Sequence, residues 1–432
     1  MRVKCQISLL LLLFAPTALA ANNHEVLARK ALSVEVSESA PAIAELRAMG
    51  PAGLDALLQT YRVEIKRQIE NPAIASTAEW QRLTATLDAV SQQKDSYLSQ
   101  LYWYTDFKEA KEAAHASGKP ILSLRLLGKL SEEFSCANSR FFRAVLYPNA
   151  QVSNALREGF VLHWQTVRAV PRITIDFGDG RKLERTVTGN SIHYILDPDG
   201  RLIDALPGLY GPAAFLRSLT ESGKILQQLE ANDDAQRNLI VSAYHRARAN
   251  ALTIDWLSDT AKIGGKPPEG LTIAKGSDGQ ALAIMPIAMT KAMTESTMLR
   301  SMTAGAEALG RITDEAAWNK IALLHALDGQ LDAASIGLIQ RQTLNLFAND
   351  RAGFNNLVQR LQLSIALDTV RNEYLIHTKL HVWMSRDRSR ENIEALNERV
   401  YAELFLTPRS DPWLGLLSRE NYTGLENAGV VR

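Results

Sequence analysis

Between Trp103 and Gly200 the chain switches repeatedly between a helical and an extended hydrophobic period. That alternation restricts it to architectures in which helices pack on a sheet. Asp106 stands at an N-cap position with Glu109 three residues on, a capping-box arrangement that predicts a helix over 107–117. Gly118 ends that helix, and Lys119-Pro120 leads into Ile121-Leu122-Ser123-Leu124, the start of a predicted strand over 121–127. Phe141 to Leu156 has helical spacing interrupted at Pro148, and a strand follows at 160–165. Residues 173–187 alternate around Gly178-Asp179-Gly180, which predicts an inserted hairpin. Ile192 to Leu196 forms the next strand and enters the turn Asp197-Pro198-Asp199-Gly200. Arg201 to Ala205 fits its hairpin partner, and Pro212 opens a helix over 213–230.

Both flanks read as helical. In the N-terminal flank, Met49-Gly50-Pro51 stops one helix and opens another, giving a helical pair, and Leu83, Leu87 and Val90 mark a polar helix over 79–98. The C-terminal flank has a looser patch at 263–281, around Gly264-Gly265 and Pro267-Pro268. Beyond it, residues 354–384 keep helical periodicity through Phe354, Leu357, Leu361, Ile365, Tyr374 and Leu380. The expected organisation is a signal peptide over 1–20, a helical extension over 21–100, an α/β domain over 101–230 and an α-helical domain over 231–432.

The first residues carry the export expectation. Met1-Arg2-Val3-Lys4 is basic, an apolar run follows to Phe14, and Ala18-Leu19-Ala20 supplies small residues for cleavage before Ala21. Such a chain is exported, to the periplasm or the extracellular space. The run is too short to span a bilayer, and no later stretch reaches the roughly 20 apolar residues that a membrane helix needs. Without Arg2 and Lys4 the charge is near balance, which argues against nucleic acid or an anionic membrane as the main partner. Of the two cysteines, Cys5 precedes the apolar run and leaves with the signal peptide, so Cys136 is the single thiol of the mature chain. No intramolecular disulfide is then possible.

Trp103, the acidic-Ala helix Asp106 to Ala113, Gly118-Lys119-Pro120 and the cysteine at 136 together resemble the exported branch of the thioredoxin-like superfamily. Cys136 stands as far ahead of Val152 as the family's first active-site cysteine stands ahead of the Val of its Asp-Pro-x-Val step, matched here by Tyr147-Pro148-Asn149-Ala150. The resemblance implies a thioredoxin-like α/β fold, Cys136 in the place of the nucleophile and Ser139 in the place of the resolving cysteine. Two features depart from the pattern. CxxC has become Cys-Ala-Asn-Ser, which removes the second thiol needed to release a mixed disulfide. Ser191 occupies the place of the family's cis-proline, where a trans peptide is expected.

The residue chemistry centres on that cysteine. Placed at a helix N-terminus, Cys136 would be favoured as a thiolate, with Arg140 and Arg143 one turn in. The opposite expectation is a buried sulfur packed as a small apolar group. Asn138 and Ser139 can cap the helix or hold a group near the sulfur, and Ser191 and His193 share one face of the strand that faces the cysteine. Asp176, Asp179, Asp197 and Asp199 read as turn residues, and Met285, Met289, Met293, Met298 and Met302 as a packing stripe, so no metal or other cofactor is expected. Two functions follow from these residues. One is a non-catalytic thioredoxin-fold module for contacts with protein partners. The other is a single-cysteine thiol-active protein that uses Cys136 for mixed disulfides or redox sensing, so whether the chain is an enzyme stays open.

Overall fold

The computed structural model describes residues 15–186, 189–229, 232–266, 306–386 and 392–414, with 417, 427 and 430 beyond them; for 15–22 it describes the backbone alone. The expected signal peptide lies mostly outside these residues, and the methionine stripe lies wholly outside them.

The chain forms a mixed α/β structure. Helices Ala15–Lys30, Val36–Ala48, Pro51–Thr60, Arg62–Glu70 and Ala78–Ser91 come first. Gly50 turns the chain at φ 68°, and Pro51 opens the next helix, as the sequence signals require. These helices close over their own core, with Leu46, Leu57, Leu87 and Val90 fully buried. The helix expected over 79–98 ends at Ser91 instead. Gln92, Asp95 and Gln100 adopt left-handed backbone conformations, and the chain folds back so that Trp103 donates its backbone N–H to Ser91 O.

Six strands follow: β1 Ile121–Leu127, β2 Val161–Arg168, β3 Arg172–Asp176, β4 Lys182–Thr186, β5 Ser191–Leu196 and β6 Leu202–Pro207. Asp106 Oδ1 accepts from the backbone of Lys108 and Glu109, starting the helix Phe107–Ser117, and Gly118 at φ 70° ends it. Four strands make one sheet in the order β2-β1-β5-β6; β2 is parallel to β1, β5 antiparallel to β1, and β6 antiparallel to β5. Every residue of β1, β5 and β6 is buried, because helices cover both faces. For that reason His163 and Trp164 on β2 are both buried, although alternation allowed only one of them to face a core. β3 and β4 form the expected hairpin as a separate two-stranded sheet.

The C-terminal helices join the central unit. Asp234–Lys262, Arg351–Arg371, Thr378–Arg386 and Ile393–Arg399 are the main ones, and a wider π-turn over Asn372–His377 makes one continuous rod from 351 to 386. Val241, Tyr244, Leu380, Trp383, Leu396, Val400 and Tyr401 belong to the same apolar core as β1, β5 and β6.

Candidate functional site

Cys136 is the N-cap residue of a short helix, Ala137–Phe141, at the end of the loop that follows β1. Its backbone N–H donates to Leu127 O, and its sulfur lies 4.0 Å from Asn190 O. The residue is fully buried, and burial pushes the thiol above its ordinary pKa, outweighing the nearby N–H groups and Arg140. The structure therefore holds the buried form of Cys136. The sequence does not reveal the cause. Tyr401, from the far end of the chain, donates its hydroxyl to Asn190 O at 3.2 Å and Arg125 O at 3.4 Å, and Thr407 Oγ1 accepts from the Asn190 side chain at 2.9 Å. A C-terminal segment thus packs over the entry to β5 beside the cysteine.

The other expected site residues divide. Asn138 reaches across to donate to Ser191 Oγ at 3.0 Å, so these two do meet. Gly189 makes room for that bond, since a Cβ there would lie 2.7 Å from Asn138 Oδ1. Ser139 is buried with its hydroxyl unbonded among the described residues, and Arg140 is partly exposed. His193 does not serve the cysteine. Its Nε2 is 2.8 Å from Tyr147 Oη, its ring packs against Phe142 and Phe215, and burial drives its pKa down to about 3. His163 is likewise buried at about 3, with Nδ1 2.8 Å from Ser123 Oγ. No peptide bond among the described residues is cis. Asp176, Asp179 and Asp197 accept backbone N–H groups in their turns, as expected.

Two further arrangements escaped the sequence. The first is a cleft of about 860 Å³ between the helix Pro212–Leu229 and the helical half. Asp259 lies on its wall and accepts from His325 Nε2 at 2.5 Å, Tyr374 Oη at 2.7 Å and Lys262 Nζ at 2.8 Å. His325 Nδ1 lies 3.6 Å from Asp328, which also pairs with both ends of the Arg217 guanidinium. The bond to Asp259, with that to Asp328, raises His325 to about 9. Burial alone would raise Asp259 and Asp328, but these partners outweigh it and hold both carboxylates near 2. Glu373, buried at the same wall with Arg217 3.9 Å away, is pushed up to about 7 by burial. Its raised pKa places it among the cleft carboxylates able to exchange a proton near neutral pH; burial also raises Asp255 on the same lining.

The second is the buried group Asp204, His245 and His381, whose donor atoms lie within 4.8 Å of one another and could hold a metal ion. His377 and His381 form an i, i+4 pair on a helical stretch, a signal present in the sequence. Asp204 and His245 carried no such signal, because only packing brings them there.

A last feature is the hairpin. Ile173 and Ile175 on β3 and Phe177 just beyond it alternate along the ribbon and are 42%, 44% and 55% exposed. Ile175 pairs with Leu183 across the ribbon, which extends this apolar face onto β4. The base of the ribbon is tied to the cysteine loop, where Thr186 Oγ1 donates to Ser135 O at 3.0 Å and the Arg172 guanidinium lies 4.8 Å above the Phe134 ring. No helix among the described residues is long and apolar enough to cross a membrane. No family model, curated protein or solved structure matches the chain.

Proposed function

We propose that this chain is an exported, non-catalytic protein-interaction module built on a thioredoxin-like unit over 101–230. The strand order β2-β1-β5-β6, with only β5 running against the other three, supports a thioredoxin-like reading, as does a helix that opens at Cys136 after β1. The lack of a second cysteine in the Cys-Ala-Asn-Ser motif and the burial of Cys136 argue against disulfide exchange. The observation that carries the interaction role is the β3–β4 ribbon. Three large apolar side chains in one row on a narrow arm leave a face that water solvates poorly, and such faces mark contact sites. Among the described residues no third strand pairs with the β3–β4 ribbon, which leaves its edges for an incoming strand. The proposed partner is a protein with an apolar patch or an extended segment. The Arg/Asp-rich turn at Asp179 and Arg181 would form the polar rim.

A photo-crosslinking amino acid placed at Ile175 in the secreted chain tests the role, with Val63 on an exposed helix face as control. The expected result is one defined protein adduct from Ile175 and none from Val63, with the reconstituted complex weakened by Ile175→Asp. Equal labelling from both positions overturns the ribbon as a contact arm. The competing thiol-active reading is tested separately. Catalysed reduction of insulin disulfides that disappears in Cys136→Ala would replace the non-catalytic assignment. Export predicts a secreted chain whose intact mass begins at Ala21, and retention of Met1 would refute it.

A further inference from the structure

We propose that Asp204, His245 and His381 form a buried site for a divalent, six-coordinate cation of the first transition row, which fastens the edge strand β6 to the helices packed on it. Three separate segments converge there: Asp204 from β6, His245 from the helix Asp234–Lys262 and His381 from the helix Thr378–Arg386. All three residues are fully buried.

The donor set and its spacing define the ligand. His245 Nδ1 and His381 Nδ1 stand 2.8 Å apart, and Asp204 Oδ1 is 3.9 Å from His381 Nδ1. An ion about 2.1 Å from each nitrogen would see the pair roughly 85° apart, near the cis angle of an octahedron, whereas a tetrahedral ion needs them about 3.4 Å apart; Asp204 Oδ1 would have to move ~0.9 Å closer to His381 Nδ1 to take a second cis position. Two imidazole nitrogens with one carboxylate suit a borderline first-row cation. Calcium and magnesium prefer oxygen-only shells, and Cu(I) prefers sulfur.

The surroundings are arranged as the supports of a metal site usually are. Asp204 Oδ2 accepts from Tyr244 Oη at 2.5 Å and Ser222 Oγ at 3.0 Å, which orients the carboxylate and leaves Oδ1 toward the histidines. His377 stacks on His381 with ring centroids 4.0 Å apart, and its buried Nε2 lies 3.9 Å from Asp204 Oδ1 with no hydrogen-bond partner among the described residues. A small rotation would make it a further ligand. Without an ion, the His245–His381 contact is a hydrogen bond that needs a proton on one Nδ1 and a lone pair on the other.

Untagged full-length protein, stripped with a chelator and titrated with Co²⁺, decides between these states. The expected result is one equivalent bound, with the weak visible bands of six-coordinate cobalt, a rise in Tm reversed by chelator, and imidazole scattering from at least two rings at the cobalt absorption edge. His245→Gln and His381→Gln should each abolish this binding, while Tyr244→Phe weakens it about tenfold, as loss of a supporting hydrogen bond does. Absence of stoichiometric cobalt in the wild-type chain, a spectrum without imidazole, or wild-type cobalt binding retained by both histidine variants overturns the site. The wild-type spectra and Tm decide it even if a variant fails to fold.

Discussion

Replacing His325 by Gln removes the one cation among the described residues that touches both Asp259 and Asp328 in the cleft, and the cost should depend on pH. The folded protein raises His325 from 6.5 to about 9, chiefly through the hydrogen bond to Asp259. At about 1.36 kcal/mol per unit, this is roughly 3 kcal/mol. The side chain is 26% exposed, so solvent screening lowers the expectation to ~2 kcal/mol. The low values of Asp259 and Asp328 describe the same ion pairs and are counted once. A raised histidine contributes stability that is complete below its unfolded pKa of 6.5 and disappears as pH rises through about 9. Urea unfolding of wild type and His325→Gln at pH 6, 7.5 and 9.5 measures the difference. It should be ~2 kcal/mol at pH 6 and close to zero at pH 9.5. A difference that stays constant across this range, or grows with pH, refutes the ion-pair account.

Glu373→Gln should have the opposite pH dependence. The raised acid costs nothing below 4.5 and its full penalty above about 7, so the neutral isostere should stabilise the protein by ~1–2 kcal/mol at pH 8 and have no effect at pH 4. Cys136 should resist iodoacetamide in the folded chain and react once denatured, and Cys136→Ser should cost ~1–3 kcal/mol by burying a hydroxyl without a close partner. Tyr401→Ala should open the covered edge and let the reagent reach Cys136 in the folded protein; continued protection would show that Tyr401 is not what covers it. Gly53→Ala should destabilise the N-terminal helices strongly, because a Cβ there would sit 1.9 Å from the backbone oxygen of Leu46, and a wild-type Tm would refute that contact.

The local elements of the central unit were legible in the sequence because each has a local cause. Asp106 caps the helix that Gly118 ends, Pro120 precedes a short apolar run of strand length, and Gly178 and Gly180 supply the positive φ angles of the hairpin. The Asp197–Gly200 turn and the N-cap position of Cys136 follow in the same way. One local reading failed: Leu83, Leu87 and Val90 carry a helical period, but nothing in it shows that Gln92 will turn left-handed so that Trp103 can reach the core.

What Cys136 and the histidines do is decided by contacts between residues far apart in the chain. The cysteine is buried in a core that Tyr401 joins from the far end of the chain, and Asp204 meets His245 and His381 only because two distant helices pack on β6. A helix terminus favours a thiolate wherever it occurs, but that preference is worth less than the desolvation imposed by a covering segment. Spacing along the chain sets backbone conformation through interactions of a few residues. Burial and the meeting of side chains depend on how whole elements pack, so only the tertiary structure decides whether a polar group becomes a reactive site, a buried hydrogen bond or a ligand.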